Sequence, residues 1–337
     1  MSHPFPVAPV DDRLLFDLSC QRVIGPVITV AQELNLFRHL HTQPCTIADL
    51  AVKFQTLPLI SEALVAVLAA VGLLQHQGEG QFGLTASAET YMLPESPFFY
   101  SGFCPPRDWY LDLLRLRVMS GGIEPPMPRA INMKQQSPEF AQSFTERMHM
   151  MTLPAAARLA QQSIFGQLST LLDVGGGSGS LSLAIADQNS QLQCTVMDLD
   201  PVCQVAAQNI ETYGLGDRIK TLSRDMFQEP WPTAMDGVLF GNVFHDWDPD
   251  NCQTLAHHAF AALKPGGTIL LHEMPLAETL DGPLTVACLS ALLLMHERGK
   301  QYTLTELESL LTTAGFVDFQ ATPSHVYYQM ISATKPG

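Results

Sequence analysis

The stretch Leu171–Ala186 reads LLDVGGGSGSLSLAIA, and it decides the fold. A short apolar strand, a turn of glycines and an apolar helix follow one another without a break. Glycines in such a turn let the backbone approach a ligand closely, and the helix that follows offers unpaired N–H groups. The stretch therefore predicts a strand-turn-helix unit with a ligand at its turn. The turn alone does not name the ligand, because nicotinamide and flavin cofactors use similar turns.

From Thr170 to the C-terminus, strand and helix patterns alternate. Strands are predicted at TLLDV, LQCTVMDLD, IKTLS, MDGVLFGN, TILLHE and VYYQMISAT. Regular alternation of this kind predicts an α/β fold with a Rossmann-like, mostly parallel sheet that is covered by helices on both faces. The carboxyl ends of the parallel strands then meet at one edge, where such sheets bind their ligands.

The N-terminal part has a different pattern, which is helix, helix, hairpin. Thr46 begins a first helix with Asp49 as an approximate capping box, Pro58 to Leu74 is a second and very apolar one, and LLQHQGEGQFGLT follows as two strands around a glycine-rich turn. This order is typical of a winged helix. Because the segment Leu57–Gln75 contains no Lys or Arg, it lacks the phosphate contacts of a DNA-recognition helix. We therefore predict a dimerisation domain.

The composition excludes several classes of partner. The chain of 337 residues has 33 acidic and 18 basic residues, a formal charge of −15, which argues against binding to nucleic acid or to an anionic membrane surface. Its seven cysteines include no C-x-x-C pair, which favours reduced thiols in a cytoplasmic protein. The N-terminus has no signal-peptide pattern, and the longest apolar run, Pro283–Met295, is too short to span a bilayer.

Carboxylates surround the predicted ligand. Asp173 precedes the glycines, Asp198 ends the second strand, and Asp225 and Met226 follow the third. A carboxylate at Asp198 can accept hydrogen bonds from both hydroxyls of a ribose, while Asp225 and Met226 suit the edge and the face of an adenine. A pyrophosphate is repelled by this much negative charge, whereas a sulfonium ion that carries an amino acid tolerates it. Asp173 is placed to meet the ammonium group of such a ligand.

Taken together, these motifs resemble those of one family. LLDVGGGSGSLSLAIA, RDMF, NVFHDWDPDNC and LKPGGTILLHE are similar, in order and spacing, to the motifs of the class I S-adenosylmethionine-dependent O-methyltransferases typified by caffeic acid O-methyltransferase. The resemblance covers nearly the whole chain. It implies a homodimer with a winged-helix-like dimerisation domain at 1–100, connecting helices that contribute to the substrate pocket at 101–165 and a catalytic domain at 166–337.

The resemblance also implies which residues contact S-adenosyl-L-methionine. Matched by position, these are Gly175, Gly177, Asp198, Asp225 and Met226, with Asn242 near the end of the fourth strand as a further candidate. Asp200 competes with Asp198 for the ribose, and Asp198 is favoured because it ends the strand.

His245 is the candidate catalytic residue, because His245-Asp246-Trp247 follows the fourth strand at the predicted ligand edge. It resembles the histidine that takes a proton from a phenol in the O-methyltransferases, and a neighbouring carboxylate can orient an imidazole for that task. Those enzymes tend to support this histidine with a glutamate in a later G-G-[KR]-E-R-T motif. Gln301 stands at about that position here.

The departure at Gln301 favours a second interpretation. If His245, Asp246 and His296 converge, they form the two-histidine, one-carboxylate set that holds a divalent metal, iron or zinc. HDWDPDNC and HERGKQYTLTEL are similar to the corresponding stretches of metal-dependent C-methyltransferases of 2-oxo acids. That branch clamps its substrate carboxylate with an arginine, for which Arg129 in PPMPRAIN is the best positional match, in competition with Arg107, Arg115 and Arg117.

Two enzymatic functions therefore follow from the sequence, and a non-enzymatic winged-helix regulator is a third function that stays open. The first is C-methylation of an anionic aryl 2-oxo acid, such as phenylpyruvate or indolepyruvate, with a metal-stabilised enolate. The alternative is metal-free O-methylation of a phenolic small molecule with His245 as general base. We expect the first, because it accounts for His296, Gln301 and Arg129 together.

Overall fold

The computed structural model describes residues 11–96, 99, 109–122 and 138–337. These residues form two compact units. The sheet unit consists of residues 11–12, 138–274 and 305–337, and the helical unit consists of the remaining described residues, including 275–304. The three-part division at residues 100 and 165 stays a prediction, and the packing adds that residues 275–304 join the N-terminal helices.

The helical unit is built mainly from helices. These are α1 (Arg13–Cys20), α2 (Ile24–Glu33), α3 (Leu36–Thr42), α4 (Ile47–Phe54), α5 (Pro58–Ala70), α6 (Ala86–Tyr91), α7 (Trp109–Met119) and α12 (Leu284–Leu293). Three short antiparallel strands, β1 (Cys45–Thr46), β2 (Leu74–His76) and β3 (Gln81–Leu84), pair in the order β1-β3-β2. The predicted order of helix, helix and hairpin is present.

Local chemistry explains where the two central helices of this unit begin. Thr46 precedes α4 and accepts the amide of Asp49 on its side chain, while the Asp49 carboxylate accepts the amide of Thr46. This is the capping box that the sequence predicts. Helix α5 begins at Pro58, which suits a first helical turn, and most of its side chains are buried. An apolar helix of this kind belongs to a core.

The sheet unit contains the other helices and the large sheet. Its helices are α8 (Pro138–Leu159), α9 (Ser180–Gln188), α10 (Asp200–Tyr213), α11 (Pro249–Ala262) and α13 (Leu304–Thr313). Its strands are β4 (Thr170–Val174), β5 (Gln193–Asp198), β6 (Ile219–Ser223), β7 (Met235–Gly241), β8 (Leu263–Glu273), β9 (Val317–His325) and β10 (Tyr328–Thr334).

The seven strands lie in the order β6-β5-β4-β7-β8-β10-β9. Strands β4 to β8 pair in parallel, and β10 runs antiparallel to both of its neighbours. The predicted mostly parallel α/β sheet is thereby confirmed. The register pairs Gly241 at the end of β7 with His272 of β8, so the residues that follow these two strands meet at one edge.

One helical stretch among the described residues passes a length and composition test for a membrane span. This stretch is Arg13–Glu33, and 44% of its apolar window is buried inside the structure. The bent pair α4 and α5 passes only if it counts as one span. Buried core helices pass the same test, so the stretch carries little weight for a membrane location.

A buried ion pair ties residues 275–304 to the rest of the helical unit. Lys300 Nζ donates to both carboxylate oxygens of Glu62 on α5, at 2.7 and 2.9 Å. The two side chains are only 11% and 15% exposed. Removal of one partner would leave the other charge buried without its counterion, which costs more than the intact pair contributes.

We expect Glu62→Gln to lower the free energy of unfolding of the helical unit by about 3 kcal/mol, because the buried ammonium of Lys300 then loses the carboxylate to which it donates. Urea denaturation followed by circular dichroism measures the change. Glu95→Gln is the matched control, since Glu95 pairs with Arg38 at the surface with 61% and 49% of the side chains exposed. Equal midpoints for the two variants would contradict the assignment of a stabilising role to the buried pair.

Candidate active site

The glycine turn lies between β4 and α9 and leaves room for a ligand. Gly175 and Gly177 have φ values of +64° and +56°, in the left-handed region that favours glycine. A Cβ on Gly177 would meet nothing within 4 Å, whereas a Cβ on Gly176 would come within 2.9 Å of Val196. The turn can therefore present bare backbone to a ligand at Gly177 while it packs closely on β5 at Gly176.

The turn is tied directly to Asp198 at the end of β5. The amide of Gly177 donates to Asp198 Oδ2 at 2.9 Å, and the amide of Leu199 donates to Oδ1 at 2.7 Å. Burial raises the pKa of Asp198, although these two amides act against the rise. The competing Asp200 is exposed, and its carboxylate accepts from Gln204 on its own helix. Asp198 is thus the carboxylate that faces the glycine turn.

Asp173 is a buried carboxylate with one unsatisfied oxygen. Its side chain is fully buried, Ser182 Oγ donates to Oδ2 at 2.7 Å, and Oδ1 has no hydrogen-bond partner among the described residues. Burial, together with the negative charge of the nearby Asp198, raises the pKa of Asp173 to about 6. An unpaired acceptor of this kind suits a cationic ligand group, so the residues present fit an S-adenosylmethionine ammonium.

The loop after β6 lies next to Asp198. The amide of Arg224 donates to the Asp198 carbonyl at 2.9 Å, which brings Asp225 and Met226 to the same edge. Asp225 Oδ1 accepts the amide of Phe227 at 3.0 Å. The structure therefore brings together the three residues that the sequence assigns to the adenosine part of the ligand.

Asn242 directly follows β7 and has a buried polar atom without a hydrogen-bond partner among the described residues. Its φ is +57°, its amide donates to the His272 carbonyl at 3.1 Å, and its buried Oδ1 has no partner among the described residues. A buried amide oxygen without a donor points to a ligand or a water. Asn242 and Asp173 thus contribute unsatisfied acceptors at neighbouring strands.

Glu273 holds His245, and the sequence analysis missed this partner. His245 is buried, and its Nδ1 lies 2.7 Å from Glu273 Oε2. Oε1 of the same carboxylate accepts the amides of Val243 and Phe244, both at 3.0 Å. Since a carboxylate only accepts, Nδ1 carries the hydrogen and Nε2 is left as a basic nitrogen. The signal for Glu273 was its position at the end of β8, beside β7.

The sequence suggests Asp246 as the carboxylate that orients the His245 imidazole, but Asp246 does not bind Nδ1. Its Oδ1 lies 3.4 Å from His245 Nε2, on the opposite side of the ring from Glu273. His245 therefore lies between two carboxylates, one bound at Nδ1 and one close to Nε2. A positive charge that develops on this imidazole is stabilised from both sides.

The structure does not support the predicted iron or zinc centre. His245 and Asp246 belong to the sheet unit and His296 to the helical unit. Throughout the part of the chain that the structure describes, no three His, Cys, Asp or Glu side chains group so as to hold a metal ion. Among the described residues, His245 and Asp246 lack the third ligand that this centre would need. Arg129 lies outside the described residues.

Aromatic side chains join the adenosine loop to the histidine turn. The rings of Phe227 and Trp247 meet edge to face, with centroids 4.6 Å apart, and Phe240 and Phe244 do so at 5.1 Å. Cys252 Sγ on α11 donates to the Phe244 carbonyl at 3.2 Å. The turn that carries His245 is thus packed from two sides.

Comparison with known proteins places the chain in a family. Residues 122–317 match the model of the O-methyltransferase domain, and residues 16–94 match the O-methyltransferase dimerisation domain. The protein belongs to this family of class I S-adenosylmethionine-dependent methyltransferases. It is therefore a methyltransferase whose cofactor is S-adenosyl-L-methionine, and the family resemblance seen in the sequence is confirmed at this level.

Individual relatives differ in the atom that they methylate. The 3-hydroxy-5-methyl-1-naphthoate 3-O-methyltransferase of Streptomyces sahachiroi is 29% identical over 306 residues, which are 90% of this chain and 88% of the relative. The L-tyrosine C(3)-methyltransferase of Streptomyces lavendulae is 29% identical over 209 residues, 59% of this chain and 56% of the relative. The crystal structure of a Planctomyces limnophilus O-methyltransferase family 2 protein with apigenin has a TM-score of 0.84 at 25% identity and covers 98% of each chain.

We expect the affinity for S-adenosylmethionine to fall as the pH falls through about 6, the pKa of Asp173 in the free protein. The cationic ligand needs the ionised carboxylate, so protonation competes with binding, and Kd should be roughly tenfold higher at pH 5 than at pH 7. Isothermal titration calorimetry across this range measures the change.

The Asp173→Asn variant is the control, because it should bind more weakly and lose most of this pH dependence. Burial also raises the pKa of Asp198. Protonation of Asp198 should therefore account for the pH dependence that remains in this variant, in the same direction. A wild-type Kd that does not change between pH 5 and pH 7 would remove Asp173 from the binding site.

Proposed function

We propose that the protein is an O-methyltransferase of a phenolic small molecule, with His245 as the general base. The observation that carries the proposal is the 2.7 Å contact between His245 Nδ1 and Glu273 Oε2. It fixes the imidazole in the form whose Nε2 can accept a proton. This is the alternative function from the sequence, and the family and most relatives favour it over 2-oxo acid C-methylation.

The cofactor residues take the roles that the sequence suggests. Asp173 binds the ammonium group, Asp198 binds the ribose hydroxyls, and Asp225 and Met226 hold the adenine. Gly175 and Gly177 approach the ligand with their backbone, and Asn242 offers its free amide oxygen near the reacting end. S-adenosylmethionine, when bound, supplies an electrophilic methyl group on its sulfonium sulfur.

His245 performs the proton transfer. Its Nε2 takes the proton of the substrate hydroxyl as that oxygen forms its bond to the methyl carbon and the carbon–sulfur bond breaks. The imidazolium that results is stabilised by Glu273 at Nδ1 and by Asp246, whose Oδ1 is 3.4 Å from Nε2. The rest of the rate enhancement comes from alignment of the oxygen with the methyl group.

The substrate class follows from the relatives. One is named for a hydroxynaphthoate, and the Planctomyces protein binds the polyphenol apigenin. Planar aromatic hydroxyl compounds are therefore the acceptors to test. The L-tyrosine C(3)-methyltransferase favours a second candidate, C-methylation of a phenol ring, because loss of the phenolic proton also activates the ring carbons.

The assembly and location that we propose are those expected from the sequence. The match of residues 16–94 to a dimerisation domain supports a homodimer. A cytoplasmic location and the absence of nucleic-acid and membrane partners stay predictions.

We expect His245→Ala to lower kcat by about 1000-fold on a hydroxynaphthoate or a flavone, because the proton then has no acceptor, while the Kd for S-adenosylmethionine changes little. His296→Ala is the matched control and should retain activity. Excess chelator should not change the rate. Methyl transfer from labelled cofactor, with the product analysed by mass spectrometry, measures all three.

The metal-dependent alternative predicts the opposite pattern in the same assay. Loss of activity with chelator and with His296→Ala, together with methylation of phenylpyruvate at carbon, would contradict the proposed O-methylation.

A further inference from the structure

The carbonyl of Met226 is held by two side chains from other segments. Trp231 Nε1 donates to it at 3.0 Å, and His258 Nδ1 contacts it at 3.1 Å. Because a carbonyl only accepts, the His258 nitrogen must carry its hydrogen. Both acceptor positions of this carbonyl are therefore filled by side chains.

This arrangement matters because Met226 lies in a turn. The segment from Arg224 to Glu229 is neither helix nor strand, so no ladder of backbone bonds fixes the direction of the Met226 peptide. The two side-chain donors supply that constraint. Their rings also pack on each other edge to face, with centroids 5.4 Å apart.

Along the chain, one donor comes before the turn that carries His245 and the other comes after it. Trp231 lies between β6 and β7, and His258 lies on α11, the helix that begins three residues after Asp246. On its other side the loop touches that turn through the edge-to-face contact of Phe227 with Trp247. The loop from Asp225 to Phe227 is thus fixed between α11 and the turn that carries His245.

We propose that Trp231 and His258 are positioning residues for the adenosine end of the cofactor. By fixing the Met226 carbonyl, they set the place of the Asp225 carboxylate and the Met226 side chain. The inference rests on the proposed contacts of Asp225 and Met226 with adenine. Neither Trp231 nor His258 needs to touch the ligand.

The variants that test this inference remove the N–H donor of each side chain and keep an aromatic ring in its place. Trp231→Phe and His258→Phe should each raise the Kd for S-adenosylmethionine about fivefold, and the double variant roughly 30-fold or more, because the carbonyl then loses both donors. The Kd for 5′-methylthioadenosine, which lacks the amino-acid part, should rise by the same factors. The kcat at saturating cofactor should stay within about twofold, since His245 and Glu273 are untouched.

Two further variants separate the hydrogen bond from packing. His258→Asn keeps an N–H donor at the same distance from Cβ without the ring, and it should restore most of the affinity lost in His258→Phe. His257→Phe is the matched control, because His257 lies next in sequence but is exposed and bonds to Gln253 of its own helix. It should bind the cofactor as the wild type does.

Cofactor binding by the Trp231→Phe, His258→Phe double variant that equals the wild type would overturn the inference. So would a His258→Asn variant as weak as His258→Phe, because the ring and not the donor would then be responsible. Two more variants, Asp225→Ala and Met226→Ala, show whether it is the positioning role or the proposed adenine site that is wrong. If both weaken binding while the support variants do not, only the inference fails; if neither weakens it, the adenine assignment itself is wrong.

Discussion

The hydrogen bond between His245 and Glu273 is the interaction on which the reactive edge of the sheet depends. One carboxylate, almost fully buried, binds the imidazole through Oε2 and two backbone amides through Oε1. It thereby fixes the turn after β7 and the tautomer of the histidine at the same time. This works only because β8 lies parallel to β7 and ends at the same level, which places Glu273 under the turn.

The cofactor side of the site depends on negative charge instead. Asp173 and Asp198 lie at the ends of neighbouring strands, and burial raises the pKa of both. Two desolvated carboxylates repel each other, and no cationic side chain of the described residues is among the groups that shift their pKa values. A bound sulfonium and ammonium relieve this cost, so the charge that is unfavourable in the free protein favours a cationic ligand. The same charge selects against a pyrophosphate.

The sequence predicts features that depend on neighbours along the chain. The capping box of Thr46 and Asp49 is such a local feature, and it is present. Strand β9 was not predicted, because it is an edge strand whose residues are mostly exposed. Its sequence therefore lacks the apolar pattern of the inner strands.

The candidate site was less predictable where it depends on distant segments. Glu273 lies 28 residues from His245, and only the pairing of β7 with β8 makes them partners. The metal hypothesis is not supported for the same reason, since the described residues do not bring His245, Asp246 and His296 together as a group that could hold a metal. Motif spacing identified the family and the histidine, whereas the partner of the histidine required the sheet.

The central claim is that Glu273 holds His245 with its hydrogen on Nδ1, so that Nε2 is the nitrogen that takes a proton. The most direct test is the ¹⁵N NMR spectrum of the His245 imidazole at a pH where it is neutral. Assignment comes from comparison with His245→Gln. The account predicts a protonated, pyrrole-type Nδ1 and an unprotonated, pyridine-type Nε2, with loss of this preference in Glu273→Gln. A hydrogen on Nε2 in the wild type would contradict it, because that nitrogen could not then act as the base.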